Sequence, residues 1–255
     1  MAKKLSYNTL SSWEERYKES ASLAASGTYT HTEIGNKFFY KTKFAAVDRC
    51  LHLANKHLTE AAVLDIAGGT GQFVPYYLNR GARRVTVADF SPTALSTVRT
   101  RFQNESRVDT LPYDLQNPLD VSDTYDIVSI FEAIFLLKND KDLSTALHKL
   151  FPTLRPDGVL LISDLFPTAK IRENEYVVRR SRSSFEDTIR ASGLSICGYI
   201  SQSWAFNRHI LGKYQRRFET IGGALVLYLI DRLILNIYKY SLSDGVKYLV
   251  AKKNT

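Results

Sequence analysis

Residues 63–73, with the sequence VLDIAGGTGQF, constrain the fold of this chain more than any other stretch. A short apolar strand ends near Asp65 and passes through a glycine-rich turn into a helix. Such a turn leaves helix N–H groups unpaired and lets a ligand approach bare backbone. The stretch therefore predicts a nucleotide-type binding site at the end of a β-strand.

The spacing of the glycines bears on which nucleotide the turn can bind. A dinucleotide fingerprint has three glycines in the pattern GxGxxG. Gly69 and Gly71 fit it, but Val74 stands in the third position, and no Lys-Ser or Lys-Thr pair follows to form a phosphate loop. Asp65 would repel a pyrophosphate, whereas it could accept hydrogen bonds from an ammonium group. The turn favours a cationic cofactor without phosphate.

Acidic residues also follow the later predicted strands. The run RRVTVADF places Asp89 at the end of the second strand, where an acid binds a ribose diol in open α/β sheets. Asp114 in LPYDLQNP ends a third run, and FEAIF follows the fourth, YDIVSIF. A diol acceptor suits NAD and S-adenosylmethionine alike, so these acids do not separate the two cofactors.

Over about residues 60–165, the chain resembles the class I S-adenosylmethionine-dependent methyltransferases, because several of their motifs occur here in the same order. The family's glycine motif is close to VLDxGxGTG. Its first glycine is Ala67 here and its common cysteine is Gly68, and AGGTG resembles the quinone-methylating branch. The resemblance implies a doubly wound α/β fold with a mostly parallel seven-stranded sheet. It also implies S-adenosyl-L-methionine as cofactor and methyl transfer by in-line displacement.

The resemblance further implies roles for individual residues. Asp65 is expected to bind the amino-acid ammonium group of the cofactor, Asp89 its ribose diol and Asp114 its adenine amino group. The other expected cofactor contacts are Ala67, Gly68, Gly69, Gly71, Phe90, Leu115, Phe131, Tyr17, Tyr40 and Lys43. Lys43 is expected to meet the cofactor carboxylate, whereas Tyr17 could equally be an ordinary helix-to-core anchor. The family fixes no catalytic base, so Glu132, His31 and His209 are candidates, and no metal set is evident.

The chain divides into three predicted parts. Residues 1–58 contain two helices, one in LSSWEERYKESASLA capped by Ser11 or Ser12 and one from about Ile34 to His57, which are expected to form a lid. Alternating strands and helices predict the cofactor-binding core over residues 59–202 and 244–255, with helices on both faces of a parallel sheet. Residues 203–243 are predicted to form a helical cap inserted before the last strand.

The inserted segment contains IGGALVLYLIDRLILNIYKY, a nearly continuous apolar helix with one narrow polar stripe. Asp231 and Arg232 fall mid-span and would each cost about 2.5–3.5 kcal/mol at a bilayer centre, so a transmembrane helix is not expected. Three roles stay open for residues 221–240: a helix buried in a substrate cap, a homodimer interface, or a surface that contacts lipid.

Charge and cysteine content bear on partners and location. The net charge of +8 suggests an anionic partner or serves solubility alone. Residues 166–182, which include Arg179 and Arg180, and residues 203–243 are predicted to line a pocket for an acceptor with an apolar body and an anionic group. Cys50 and Cys197 lack metal-ligand spacing and are expected to be buried, reduced thiols. No signal peptide is recognised, so a cytoplasmic protein is expected.

Three functions remain open at this point. The first is methyl transfer to an O or N atom of a small-molecule or lipid-linked metabolite, favoured because the segments flanking the core are aromatic and apolar. The second is an RNA methyltransferase, although no RNA-binding module is visible and nucleic acid is not the expected partner. The third is a non-catalytic S-adenosylmethionine-binding subunit that supports a partner through residues 221–240. The methyl acceptor is not identified by the sequence.

Overall fold

The fold is described from a computed structural model over residues 10–19, 31–117, 119, 123–173, 177–204, 219–237 and 245–253. The strands are β1 Ala62–Ile66, β2 Arg84–Asp89, β3 Val108–Pro112, β4 Tyr125–Phe131, β5 Leu154–Asp164, β6 Ile171–Arg172, β7 Val178–Arg179, β8 Leu194–Ser201 and β9 Lys247–Lys253. The α-helices are α1 Leu10–Glu19, α2 Glu33–Leu53, α3 Val74–Leu78, α4 Pro92–Arg101, α5 Asp140–Leu150, α6 Arg182–Ala191 and α7 Ile221–Ile237.

Seven of these strands form one sheet in the order β3-β2-β1-β4-β5-β9-β8. β1 pairs in parallel with β2 and β4, while β9 runs antiparallel to both β5 and β8. The direction of chain progression reverses between β1 and β4, and open α/β sheets bind ligands in the crevice beyond the carboxyl ends at such a point. The predicted doubly wound, mostly parallel seven-stranded sheet is confirmed.

Apolar helices cover both faces of the sheet. On one face, α2, α3 and α4 contribute Val47, Tyr77 and Val98 to a buried cluster. On the other face, α5 and α6 contribute Leu147 and Ile189. Because β1 is central and covered on both sides, all five of its residues are buried.

The second helix, α2, is a layer of this core. It begins after the N-cap Thr32, whose side chain accepts a hydrogen bond from the Gly35 amide, and it ends at Leu53, short of the predicted His57. Its Ala46, Val47 and Cys50 are fully buried. Burial of this apolar face is part of what stabilises the sheet, so α2 belongs to the packed core, and the predicted boundary at residue 58 stays a prediction.

The first helix, α1, packs on α4. It begins at Leu10, so Ser11 and Ser12 lie inside the helix and the predicted N-cap is wrong. Both cysteines were predicted to be buried. This is confirmed for Cys50 and wrong for Cys197, which is exposed on β8.

The inserted helix, α7, packs against α2. Its Leu227 and Tyr228 contact Phe38 and Phe39 of α2. Asp231 is buried on the same side and accepts a hydrogen bond from the Trp204 amide at 2.5 Å. Among the described helices, none combines the length and the apolar character needed to cross a membrane.

Candidate active site

A pocket with a cavity volume of about 140 Å³ lies at the carboxyl ends of β1, β2 and β4. Every residue predicted to contact the cofactor, except Gly71, lines it: Tyr17, Tyr40, Lys43, Asp65, Ala67, Gly68, Gly69, Asp89, Phe90, Asp114, Leu115 and Phe131. These residues meet because parallel strands end at one edge of the sheet. That they bind a cofactor remains a prediction.

The turn after β1 depends on left-handed backbone. Ala67, Gly69 and Gly71 have φ angles of 56°, 54° and 74°. A glycine adopts this conformation freely, whereas Ala67 does so at a cost of about 1–2 kcal/mol. Gly71 does not line the pocket; a Cβ there would lie 3.2 Å from Phe102, so its role is to let the turn pack closely on α4.

Gly68 and Gly69 lie where no side chain would fit. A Cβ on Gly68 would lie 2.9 Å from Asp65 Oδ2, and one on Gly69 would lie 2.7 Å from the Tyr17 hydroxyl. The first approach keeps the Asp65 carboxylate against bare backbone. The second lets α1 close over the turn through Tyr17.

Asp65 supplies an uncompensated carboxylate oxygen. Its Oδ1 accepts a hydrogen bond from Ser129 Oγ at 2.7 Å, whereas its Oδ2 is buried and has no hydrogen-bond partner among the described residues. Burial raises the pKa of Asp65 to about 7, against the lowering effect of the Ser129 bond. A buried acceptor without a partner is costly, and a ligand bearing a cationic hydrogen-bond donor would satisfy it.

Asp89 holds the turn in place. Its carboxylate accepts hydrogen bonds from the Gly69 and Ser91 amides, each at 2.9 Å. Burial nevertheless raises the pKa of Asp89 to about 6. Each carboxylate oxygen keeps a second lone pair, so Asp89 can both support the turn and accept from a diol.

Helix α1 is anchored beside this turn by Glu14. One oxygen of Glu14 contacts the Ser91 hydroxyl, and the other accepts from Thr93 Oγ1 at 2.5 Å. Ser91 and Thr93 lie at the N-terminus of α4, where a carboxylate also interacts favourably with the helix dipole. The anchor places Trp13 and Tyr17 in the pocket wall.

Lys43 and Glu132 form an ion pair in the pocket wall, with Lys43 Nζ at 2.5 Å from Glu132 Oε2. Lys43 is only 3% exposed although it contributes to the pocket wall, and its ammonium lies 5.0 Å from the ring centroids of both Phe39 and Tyr40. Glu132 has a left-handed φ of 52°, and its amide donates to Ser163 Oγ at 2.9 Å. Lys43 therefore neutralises the candidate base, whereas it was expected to face the cofactor carboxylate.

Of the two histidine candidates, the structure describes His31. His31 is buried, pairs with Glu219 and is not among the residues that line the pocket. His209 lies outside the described residues.

The two arginines predicted to bind an anion, Arg179 and Arg180, form hydrogen bonds and ion pairs with other residues of the chain. Arg180 is 3% exposed, and its guanidinium donates to Asp140 at 2.8 Å and to the Leu137 carbonyl at 2.9 Å. Arg179 forms ion pairs with Asp164 and Glu173. Neither arginine lines the pocket, and none of the described residues of 166–182 or 203–243 does so. That these segments line an acceptor pocket stays a prediction, because residues 174–176, 205–218 and 238–244 lie outside the described residues.

Several lining residues were not predicted from the sequence: Ile66, Gln72, Phe73, Tyr113, Gln116, Ala133, Leu136 and Leu137. Tyr113 and Gln116 flank Asp114, so their position beside a predicted contact was a usable signal. Leu136 and Leu137 follow β4 in a 3₁₀ turn, which no sequence pattern indicated.

The pocket is acidic although the protein is basic. Among its lining residues, Asp65, Asp89, Asp114 and Glu132 carry carboxylates, and Lys43 is the cation. Interactions among these groups inside a pocket are stronger than they would be in water. The lining therefore suits a cationic ligand and does not support the predicted anionic acceptor.

Comparison with known proteins agrees with the geometry. Residues 63–158 match the family model described as a methyltransferase domain. Residues 63–158 therefore form a domain of the class I methyltransferase type. The match covers β1 to the middle of β5, so it includes the glycine turn, Asp89, Asp114 and Glu132.

Relatives of this methyltransferase domain match part of their length. The ubiquinone/menaquinone biosynthesis C-methyltransferase UbiE of Hydrogenovibrio crunogenus is 30% identical over 105 residues, which cover 39% of this chain and 40% of that protein. The chain thus aligns with less than half of this relative.

Two solved structures share the fold. The N-methyltransferase NodS of Bradyrhizobium japonicum, in complex with S-adenosyl-L-homocysteine, has a TM-score of 0.61 at 13% identity and covers 97% of this chain and 100% of its own. The [4+2]-cyclase SpnF has a TM-score of 0.56 at 16% identity, covering 81% of this chain and 80% of its own. At these identities the likeness shows the fold and not the reaction.

The residues of the methyltransferase domain fit S-adenosylmethionine, the cofactor of its class. The cofactor carries an ammonium group, a sulfonium and a ribose diol. Asp65 Oδ2 is a buried oxygen that lacks a partner, as the ammonium requires, and Asp89 retains free lone pairs for the diol. The acidic lining matches the two positive charges of the cofactor.

Proposed function

We propose that this chain catalyses methyl transfer from S-adenosylmethionine to a small-molecule metabolite. The observation that carries the proposal is the Asp65 Oδ2 atom, which is buried in the pocket without a hydrogen-bond partner in the described part of the chain. Asp65 would hold the ammonium group, Asp89 the ribose diol, and Asp114 with Leu115 the adenine. The match of residues 63–158 to a methyltransferase domain supports the same conclusion.

The bound cofactor supplies a methyl group already activated on a sulfonium, so the chain's main task is to position the acceptor. Tyr17 and Trp13 on α1 cover the glycine turn and limit access of water to it. Phe131, Leu136 and Leu137 provide an apolar wall on the side of the pocket that follows β4. We propose that this wall contacts an apolar part of the acceptor.

Glu132 is the residue proposed to orient the nucleophile of the acceptor. It lies at the end of β4 in the pocket wall, and its side chain is 34% exposed, so a ligand can reach it. The Ser163 hydroxyl fixes its backbone and Lys43 fixes its carboxylate. A positioned carboxylate can accept a hydrogen bond from an acceptor O–H or N–H and take its proton as the methyl group arrives.

The acidic lining favours a neutral or cationic acceptor with an apolar body over an anionic one. The similar proteins include a C-methyltransferase and an N-methyltransferase, so the proposal does not restrict the acceptor atom to O or N. No contact among the described residues favours the RNA alternative, and the acids of the pocket oppose a polyanion.

The test is incorporation of radiolabel from methyl-labelled S-adenosylmethionine into fractionated small-molecule extracts by the purified chain. Glu132→Gln should lower the turnover number and leave cofactor affinity unchanged, while Asp109→Asn, an exposed carboxylate outside the pocket, serves as the matched control. Cofactor binding without transfer to any fraction would contradict the proposal and favour a non-transferring role. Transfer to RNA alone would replace the proposed acceptor class.

A further inference from the structure

The helix α7 has two apolar sides, and the described residues cover one of them. Its inner side carries Ala224, Leu227 and Leu235, which are buried against the rest of the chain. Asp231 also lies on that side, 1% exposed and bonded to the Trp204 amide. A helix that is apolar all round is normally buried on all sides.

The outer side consists of five aliphatic residues that are between 37% and 64% exposed. They are Leu225, Val226, Leu229, Ile230 and Leu233. Leu225, Leu229 and Leu233 recur every four residues with Val226 and Ile230 beside them, so all five lie on one face of the helix. A contiguous apolar face of this kind on a soluble domain marks an interaction surface.

The positive charge of residues 203–243 indicates what kind of partner the apolar face contacts. Residues 203–243 contain six basic residues, Arg208, Lys213, Arg216, Arg217, Arg232 and Lys239. The two acids of the segment, Glu219 and Asp231, are 3% and 1% exposed, so neither adds negative charge to the surface. An apolar helix within a basic segment of sequence is typical of helices that lie in the interface of an anionic membrane.

Described cations lie beside the same helix. Arg232 is exposed on α7 next to Leu233. Lys41 Nζ lies 4.4 Å from the ring centroid of Phe38, which contacts Tyr228 of α7. These positions place positive charge at the edge of the apolar face, where lipid headgroups would lie.

Neither a spanning helix nor a second copy of the chain fits as well. The 17 residues of α7 give a length of about 25 Å, less than the roughly 30 Å of a bilayer core, and Asp231 is held on the inner side. A two-fold dimer through this face would bring the described cations at its edge, Arg232 and Lys41, close to those of the second copy, which like-charge repulsion opposes.

We propose that the outer face of α7 docks the protein on an anionic lipid surface, with its aliphatic side chains in the interface and its cations against the headgroups. The proposal is independent of methyl transfer, because lipid binding can be measured without cofactor or acceptor.

The experiment is flotation of the full chain with vesicles of phosphatidylcholine, with and without phosphatidylglycerol, over a range of salt concentrations. Wild-type protein should float with the vesicles that contain phosphatidylglycerol, and salt should weaken the binding. The double variant Leu229→Asp, Leu233→Asp should bind these vesicles more weakly by a factor of about ten or more, since it removes two apolar contacts and adds two negative charges.

Ile171→Asp is the matched control, because Ile171 is an aliphatic side chain 46% exposed on β6 and away from α7. It should keep wild-type lipid binding, and unfolding curves should show that all variants are folded. Failure of the wild-type protein to bind, or equal loss in Ile171→Asp and the double variant, would overturn the proposal. So would a wild-type dimer in sedimentation that the double variant abolishes, because the face would then bind a second copy.

Discussion

Lys43 Nζ lies 2.5 Å from Glu132 Oε2 and joins α2 to the end of β4 in the pocket wall. The two residues were predicted for different roles, one at the cofactor carboxylate and the other at the acceptor. Their pairing means that neither acts alone. The side chain of Lys43 is 4% exposed, so the pair is nearly closed to solvent on the lysine side.

Replacing Glu132 should destabilise the protein more than replacing Lys43. Glu132→Gln leaves a buried ammonium without a counter-charge and should lower the free energy of unfolding by about 1–3 kcal/mol, since Glu132 itself is partly exposed. Lys43→Met keeps the apolar stem and should cost less than about 1 kcal/mol. Combining the two changes should cost less than Glu132→Gln alone. Denaturant unfolding of the three variants checks this, and additive losses would mean that the pair has no energetic coupling.

Cofactor affinity should depend on pH through Asp65. Its raised pKa of about 7 means that the cofactor-free protein must release a proton before the carboxylate can hold an ammonium group. The dissociation constant should therefore rise as the pH falls below 7, by up to about tenfold per unit. Calorimetry over a pH series measures the slope. Asp65→Asn should remove this part of the pH dependence; an unchanged slope would assign the linkage to Asp89, whose pKa is also raised.

Without cofactor, the same group should make stability fall with rising pH. The folded-state pKa of Asp65, about 7, lies above its ordinary value of 3.8, so its contribution is full below that ordinary value and is lost as pH rises through 7. Asp65→Asn should then raise the free energy of unfolding at about pH 8 by roughly 1–2 kcal/mol, since it removes a buried negative charge. Thermal unfolding of both proteins above and below pH 7 tests the sign.

The α1 lid should depend on Glu14. Glu14→Ala removes both contacts to the N-terminus of α4 and should weaken cofactor binding by about tenfold, as expected for the loss of one or two charge-assisted hydrogen bonds near the surface. Glu15→Ala, an exposed neighbour on the same helix, is the control. In a Trp204→Phe background, cofactor should change the fluorescence of Trp13 in the control and much less in Glu14→Ala. Identical titrations of the two would show that α1 does not act as a lid.

Removal of the N-terminal helices should separate the lid from the core. A chain that lacks residues 1–30 loses α1 and should stay folded with weakened cofactor binding. A chain that lacks residues 1–58 also loses α2, whose Ala46, Val47 and Cys50 are fully buried, and should not fold cooperatively. Circular dichroism melts of the two truncations check the difference. A cooperative transition in the shorter chain would instead support the predicted boundary at residue 58.

Local patterns explain why the sheet and the glycine turn could be predicted from the sequence. A strand, a glycine turn and a helix are specified within a few residues, so Asp65, Gly69 and Asp89 were placed correctly in the pocket wall. Ion pairs between distant residues could not be predicted. Lys43 and Glu132 are 89 positions apart, and His31 and Glu219 are 188 apart. Any acid could pair with any cation at such separations, which is also why Arg180 was wrongly expected at a ligand-binding rim.

Calorimetric titration of S-adenosylmethionine into the wild-type protein, Asp65→Asn and Asp109→Asn tests the central claim most directly. Asp65→Asn keeps the shape of the carboxylate and an acceptor for Ser129, but it loses the charge that the ammonium group requires. We expect saturable binding by wild-type protein and Asp109→Asn, and an affinity lower by about 100-fold in Asp65→Asn. Equal affinity in all three proteins, or no binding by the wild type, would contradict the assignment of this pocket to S-adenosylmethionine.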